Sequence, residues 1–382
     1  MKNDNQELFN KISSLIKTGN IKEAISIAEE KYPEGIYFNM PFDDYCNLPY
    51  FSRSLSKEVI FDLEEAKHSL TNPMQETSAM ALGTAIHSML LEPEDFQKTY
   101  TKEPSPLDFP EKTILKTADD FKEILKSVGE KVSGKKDEIV ERAKDYLDPE
   151  KHIIWDEFLD NFYQDVEENK KKVLSPEDFK ILQDIKFSFS MKNDVPRLIQ
   201  NGHSEVTIIW KDEQTGILCK CRLDWVRPEA IIDIKSFSVK DKSKSLFEYL
   251  YKQTNFNYYN YQFYIYQQAL EIIINKINTG NAKFFGEVEK SWMSDFLATP
   301  TKQFFIVYIR TAAPYQMKGI ELESSNAEGG SINAYFEVAK NNWELSINKF
   351  AIALEAGIWK ESEITLLEDS HVPGVIYQQS IL

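Results

Sequence analysis

The sequence predicts an α/β protein in which a mixed sheet is flanked by helices. Three strand-like segments follow one another closely, because hydrophobic and polar residues alternate over residues 205–210, 217–226 and 230–235. A long aromatic helix over residues 256–277 separates them from a short apolar strand over residues 304–309. A strand hairpin followed by a helical crossover puts parallel and antiparallel strands in one sheet. The predicted core therefore runs helix, strand, strand, strand, helix, strand.

The N-terminal region predicts a helical hairpin over residues 1–35. Two short amphipathic segments lie between residues 7 and 31, and a Thr-Gly-Asn turn at residues 18–20 joins them. The hairpin either packs on the body or docks a partner. Between residues 33 and 50 the composition turns to proline, aspartate and aromatic residues, which is typical of a loop or linker.

The first core helix is predicted over residues 78–91, and Pro93 follows it. This segment is apolar nearly all round, so we expect it to be buried. His87 is its only ionisable residue. A lone histidine on an apolar helix is usually a core residue with satisfied hydrogen bonds, and this interpretation stands beside a functional one.

Residues 113–148 are predicted to be a helical insert. Thr117 and Asp120 form a capping box, and lysine and arginine (eight) slightly outnumber aspartate and glutamate (seven) over residues 116–144. The D-F-K-x-x-L run, a glycine turn and the S-G-K-K-x-x-I-x-x-R pattern resemble the SAP fold, a helical hairpin that binds duplex DNA. This resemblance implies that Lys135 and Lys136 contact DNA. The alternative is a hairpin that packs on the body.

The most informative group is Asp224 with Asp233 and Lys235, in the stretch CRLDWVRPEAIIDIKSFS. A turn between the two strands would bring both carboxylates beside the ammonium group. Carboxylate oxygens suit Mg²⁺, and a nearby lysine can act on an attacking water or offset negative charge. Such a site suits phosphodiester hydrolysis, whereas the alternative is a surface hairpin with ordinary charges.

The length, net charge, apolar runs and cysteine count of the whole chain limit its possible fold class and function further. Its 382 residues can bury one large core or two smaller ones, and its net charge of −16 argues against a generic polyanion binder. It contains no apolar run of about 18 residues, so we expect no membrane span. The N-terminal segment has no apolar signal region, which predicts a cytoplasmic protein. Three cysteines are too few for a four-cysteine iron–sulfur cluster, so we expect none.

The order of these parts resembles the PD-(D/E)xK nuclease superfamily and, within it, RecE-type (exonuclease VIII-like) exonucleases and related phage proteins. The resemblance implies a restriction-endonuclease-like αβββαβ core within residues 36–382. Five motifs in order carry it: Gly83-Thr84-Ala85-Ile86-His87 with Leu91-Glu92-Pro93, Glu205 in SEVTIIW, Arg222-Leu223-Asp224, Asp233-Ile234-Lys235, and Gln262 four residues before Tyr266.

The resemblance also implies roles for single residues. Asp224 and Asp233 would hold the metal ion, assisted by the carbonyl group of Ile234. His87 would be a further ligand, and Glu205 would hold a second ion or its water. The remaining roles fall to Lys235, which would position the nucleophilic water, and to Gln262 and Tyr266, which would contact the DNA strand.

The function implied by the resemblance is a Mg²⁺-dependent exodeoxyribonuclease, with Mn²⁺ as a substitute, that digests linear duplex DNA from 5′ to 3′. It would generate single-stranded tails in recombination, as a homo-oligomer, with a RecT-type single-strand annealing protein as partner. Two alternatives remain open. One is a structure-specific endonuclease on the same core, and the other is a non-catalytic DNA-binding protein that retains the fold.

Overall fold

The computed structural model describes residues 2–72, 77–239, 242–322 and 331–360. Most of the described chain is helical. The α-helices are α1 (Lys2–Lys17), α2 (Ile21–Lys31), α3 (Phe42–Asn47), α4 (Arg53–Phe61), α5 (Leu63–Thr71), α6 (Ser78–Leu91), α7 (Pro93–Thr99), α8 (Ala118–Ser127), α9 (Lys136–Lys144), α10 (Trp155–Glu168), α11 (Pro176–Ser190), α12 (Asp194–Leu198), α13 (Leu246–Phe256), α14 (Tyr259–Asn278), α15 (Lys290–Ala298) and α16 (Ser331–Ala356).

The strands form one large sheet and two small ones. They are β1 (Gly35–Tyr37), β2 (Tyr100–Lys102), β3 (Thr113–Leu115), β4 (His152–Ile154), β5 (Lys172–Leu174), β6 (His203–Lys211), β7 (Leu218–Val226), β8 (Ala230–Phe237), β9 (Lys283–Phe285), β10 (Gln303–Arg310) and β11 (Met317–Leu322). The large sheet has seven strands in the order β11-β10-β8-β7-β6-β1-β9, while β2 pairs with β5 and β3 pairs with β4.

The predicted core order is confirmed by α6, β6, β7, β8, α14 and β10. Strands β6, β7 and β8 are antiparallel neighbours, because short turns connect them. Strand β10 instead lies parallel to β8, since the chain crosses over through α13 and α14 before it returns to the sheet. The sheet is therefore mixed, with helices around it, as the sequence predicts.

Two local predictions were wrong. The supposed loop over residues 33–50 contains β1, which lies between β6 and β9, and the short helix α3. The helix α6 is not buried throughout, because its first turn is exposed and Met80 is 43% accessible. The helix predicted over residues 256–277 is confirmed by α14, which begins just after Tyr258, a residue in a left-handed conformation with φ of 54°, and a separate helix, α13, precedes it.

The described chain forms two compact units. The first comprises residues 1–83 and 187–382 and contains the large sheet, and the second comprises residues 84–186. In the first unit, the N-terminal helices contribute Ile12 and Ile21 to the same apolar core as Trp210 on the sheet. Burial of such side chains stabilises the fold by about 1.5–3 kcal/mol each. The N-terminal hairpin is thus packed on the sheet-bearing unit.

The second unit has a small core of its own around α8 and α9. Thr117 caps α8 with the predicted capping box, since its hydroxyl accepts from the Asp120 N–H and the Asp120 carboxylate accepts from the Thr117 N–H. The buried residues of this core are Leu115, Phe121, Leu125, Ile139 and Ala143. The unit extends well beyond residues 113–148 on both sides. The likeness of that segment to SAP stays a prediction.

Within the described residues, none of the helices combines the length and the apolar character needed to cross a membrane.

Candidate active site

The antiparallel hairpin of β7 and β8 brings the predicted acidic residues together. Trp225 pairs with Ile232, and the Ile234 N–H donates a hydrogen bond of 2.7 Å to Oδ2 of Asp224. That bond sets the Asp224 carboxylate against the backbone between Asp233 and Lys235. The alternating pattern of both strands produces this arrangement, because residues two apart share a face of the sheet.

Asp233 is a completely buried carboxylate with two polar neighbours. The ammonium group of Lys235 lies 2.6 Å from Oδ2, and the Gln262 amide donates to Oδ1 over 2.9 Å. Burial works against the positive charge of Lys235, but the carboxylates of Asp233 and Asp224 outweigh it and raise the pKa of the ammonium group. A buried ion pair of this kind is retained only when its partners are held in good geometry.

The Asp224 carboxyl group has a perturbed proton affinity. Burial and then the negative charge of Asp233 raise its pKa to about 7, although Lys235 and the Ile234 N–H act in the opposite direction. When two carboxyl groups share a site, the free energy needed to ionise the second group is raised by the charge of the first. The pair would gain from a cation placed between them, because a cation compensates the second negative charge.

Glu205 belongs to the same group of carboxylates. It lies on β6 directly opposite Asp224, between the paired positions Ser204–Trp225 and Val206–Leu223. A carboxylate oxygen of Glu205 lies within 4.8 Å of one of Asp224. Its backbone has a φ of 52°, which is unusual for a residue other than glycine in a strand.

Gln262 and Tyr266, both on α14, contact the strands that carry the acidic group. Both are buried, and the Gln262 amide nitrogen donates to the Tyr266 hydroxyl as well as to Asp233. Tyr266 in turn donates to the Arg222 carbonyl over 3.0 Å. These two residues therefore hold the hairpin and Asp233 in place. That they contact DNA stays a prediction.

The donor set fits a hard divalent cation. Asp224 and Glu205 offer neighbouring carboxylate oxygens, and Oε1 of Gln262 is buried without a hydrogen-bond partner among the described residues. The oxygens of Asp233 lie against Lys235 and Gln262, so its role as a ligand stays a prediction. Such oxygen atoms are the ligands that Mg²⁺ and Mn²⁺ prefer. A ligand role for the Ile234 carbonyl stays a prediction.

Three predicted residues lie in the second unit. His87 is half-buried on α6, one helical turn after Gly83, and its role as a ligand stays a prediction. Lys135 and Lys136 are exposed at the start of α9, where Lys136 forms an ion pair of 3.2 Å with Asp156. Their contact with DNA also stays a prediction.

Two residues beside the acidic group had no role in the sequence-based hypothesis. Nε of Arg222 lies 2.5 Å from Glu205, and another nitrogen of its guanidinium group donates to the Met40 carbonyl over 2.9 Å. The Tyr259 ring lies against Lys235, with its centroid 5.3 Å from the ammonium nitrogen. Arg222 shares a strand face with Asp224, so its two-residue spacing was a usable signal. Tyr259 had no comparable signal.

A family described as a PDDEXK-like domain of unknown function (DUF3799) matches residues 61–308. This range contains the three strands and α14, with Glu205, Asp224, Asp233 and Lys235. The chain belongs to the DUF3799 family. Membership of this PDDEXK-like family agrees with the mixed sheet and with the acidic group on its central strands.

The DUF3799 chain also resembles a solved structure. A "Putative exonuclease" from Eubacterium rectale has a crystal structure that matches with 14% sequence identity and a TM-score of 0.42, over 84% of this chain and 88% of that chain. No curated protein matches the sequence.

Proposed function

We propose that this protein is a metal-dependent nuclease that hydrolyses phosphodiester bonds in DNA. The observation that carries the proposal is the arrangement of Asp224, Asp233 and Lys235 on β7 and β8, in which a buried carboxylate is paired with a lysine next to a second carboxylate. Acidic ligands beside a cationic side chain are what phosphoryl transfer requires, because charge must be compensated at the reacting phosphate.

Asp224 and Glu205 would hold the divalent cation together with Asp233, and the buried, unpartnered amide oxygen of Gln262 would be a further donor. When bound, such a cation polarises the phosphate and lowers the pKa of a coordinated water. Lys235 keeps its proton at neutral pH, since the neighbouring carboxylates raise its pKa. It would therefore orient the attacking water and compensate negative charge as a cation, and it would not act as a general base.

The finer proposal rests on the family resemblance. The substrate would be an end of linear duplex DNA, digested from 5′ to 3′ with Mg²⁺, or with Mn²⁺ in its place. The single-stranded tails would serve recombination, with a RecT-type annealing protein as partner and a homo-oligomer as the working form. His87 would be a further ligand of the metal ion, and Gln262 and Tyr266 would contact the DNA strand.

The test compares linear and covalently closed circular duplex DNA, each with Mg²⁺ or with EDTA. We expect Mg²⁺-dependent loss of the linear DNA only, and loss of a 5′ label before a 3′ label. Asp224→Asn should abolish the reaction. Asp295→Asn is a matched control, because Asp295 is an exposed aspartate on α15.

The alternatives are distinguishable outcomes of the same test. Cutting of closed circles would assign the structure-specific endonuclease. Binding of DNA without any cleavage, under all metal conditions, would overturn the nuclease proposal and favour the non-catalytic DNA-binding protein.

A further inference from the structure

Two cations on α4 lie near the candidate active site, because one of them contacts the same tyrosine ring as Lys235. The guanidinium carbon of Arg53 is 6.0 Å from the centroid of the Tyr259 ring, and the ammonium group of Lys235 is 5.3 Å from the same centroid. One turn further along α4, the Lys57 ammonium group lies 5.6 Å from the Tyr258 ring. Three cations thus line two consecutive tyrosines.

Buried hydrogen bonds fix the position of these cations. Ser56 lies between them in sequence, and its buried hydroxyl contacts the hydroxyl groups of Tyr261 on α14 and, over 2.7 Å, of Ser346 on α16. The Arg53 guanidinium group donates to the Asn257 carbonyl over 2.7 Å, at the junction of α13 and α14. The side chains of this part of α4 are therefore held in a defined arrangement.

No ion pair in the described parts of the chain neutralises the two cations, although the charge of Glu58 acts to raise the pKa of Lys57. Neither Arg53 nor Lys57 forms an ion pair there, and Nε of Arg53 is buried without a hydrogen-bond partner. Burial, and then the charge of Arg53, lower the pKa of Lys57 to about 8. Like charges held together at partly buried positions are costly, so the cluster would be stabilised by an anion.

We propose that Arg53 and Lys57 form a phosphate-binding subsite, which holds a backbone phosphate of the DNA strand next to the phosphate that is attacked. The proposal rests on the proposed function and extends it to the path of the substrate. An arginine guanidinium group suits phosphate because it can donate two parallel hydrogen bonds, and a lysine adds a second charge. Tyr258 and Tyr259 are half-buried, and their rings lie against Lys57 and Arg53 respectively.

A purely structural role must be separated from this one. Arg53 has such a role in part, because its bond to the Asn257 carbonyl connects α4 to the helix junction. Lys57 makes no hydrogen bond or ion pair within the described residues. Lys57→Gln is consequently the informative variant, and Arg53→Lys tests the guanidinium group while it keeps the charge.

The experiment measures binding of a short fluorescent DNA duplex by anisotropy, with Ca²⁺ in place of Mg²⁺ to suppress cleavage, over a series of salt concentrations. We expect Lys57→Gln to weaken binding about tenfold and to flatten the log–log salt slope by about 0.9, as for one lost phosphate contact. Arg53→Lys should weaken binding without changing the slope. The matched control is Lys283→Gln, since Lys283 also lies over an aromatic ring, that of Phe285, on the edge strand β9.

A second measurement does not depend on nuclease activity. Inorganic phosphate should raise the melting temperature of the wild type more than that of Lys57→Gln. Unchanged DNA affinity, salt slope and phosphate response in Lys57→Gln would overturn the subsite, even if the wild type cleaves DNA. Conversely, a phosphate response that depends on Lys57 in a protein that never cleaves DNA would support the subsite and overturn the proposed function.

Discussion

Glu205 faces Asp224 across β6 and β7 while its backbone adopts a φ of 52°. The pairing register is the same on both sides of this position, so no extra residue is inserted in either strand. A left-handed conformation at a residue other than glycine costs about 1–3 kcal/mol and persists only where its surroundings fix it. Here Arg222 fixes the carboxylate through an ion pair of 2.5 Å. The strained position aims a carboxylate at the acidic group, which leads to the first prediction.

Glu205→Gln should impair metal binding without unfolding the protein. The substitution keeps the size of the side chain but removes one negative charge from the group that includes Asp224. We expect a higher Mg²⁺ concentration for half-maximal cleavage and about 10–100-fold less activity at a fixed low Mg²⁺ concentration. Glu229→Gln is the control, because Glu229 also pairs with an arginine, Arg227, in the turn between β7 and β8. An unchanged Mg²⁺ titration would exclude Glu205 from the metal site.

Asp224→Asn should change how the stability of the metal-free protein depends on pH. The folded-state pKa of Asp224 is raised to about 7 from an ordinary value of 3.8. The folded protein therefore binds this proton more tightly than the unfolded chain, so the free energy of unfolding falls as pH rises from about 4 to 7. Asparagine should remove this part of the slope, and raise the free energy of unfolding at pH 7 by up to about 4 kcal/mol.

Urea denaturation of wild type and Asp224→Asn in EDTA, at several pH values, measures this effect. A saturating divalent cation should raise the melting temperature of the wild type at pH 7 but not that of the variant. If the two proteins had parallel stability profiles between pH 4 and 7, the cause assigned to the raised pKa would be wrong.

The candidate site was predictable in part because its main elements are local in sequence. Asp224, Asp233 and Lys235 lie on two alternating strands joined by a short turn, so the period of two residues determines which side chains share a face. Strand β1 was missed because three residues are too short to show any period, and it pairs with partners far away in the sequence. The positive φ of Glu205 likewise depends on tertiary contacts with Arg222 and cannot be inferred from residue type.

The long helix illustrates the same limit. The sequence predicts that this helix begins at residue 256, whereas α14 begins at Tyr259. Just before this start, Arg53 on α4 donates to the Asn257 carbonyl, which is a contact across 204 positions in the sequence. A contact between residues so far apart in the sequence cannot be read from the local residue pattern, so the first residue of α14 was not predictable.

Lys235→Met should abolish cleavage and also destabilise the protein. Asp233 is completely buried, and the substitution would remove the ammonium group that compensates its negative charge. The hydrogen bond from the Gln262 amide would remain. Removal of one partner of a buried ion pair costs about 3–5 kcal/mol. The double variant Asp233→Asn with Lys235→Met removes both charges, so it should recover most of the stability and none of the activity. Chemical denaturation and DNA cleavage of the three proteins measure the two effects separately. Equal stability of the single and double variants would contradict the buried-pair account.

The last prediction concerns Lys135 and Lys136 at the start of α9. Both side chains are exposed, and the ion pair of Lys136 with Asp156 is half-exposed, so water and salt weaken it and it can be exchanged for a phosphate contact. Arg142 donates to the Lys131 and Ser133 carbonyls, which shapes the loop before these lysines. If this loop tethers DNA, Lys135→Ala with Lys136→Ala should weaken duplex binding and flatten the salt slope by about one to two units. Cleavage at saturating DNA should persist, since the acidic group is unchanged.

The control is the double variant Lys98→Ala with Lys151→Ala, which removes the same charge from two exposed lysines of the same unit that also form ion pairs. An effect of equal size in both double variants would show that net charge alone is responsible, and the hairpin would then have only a structural role.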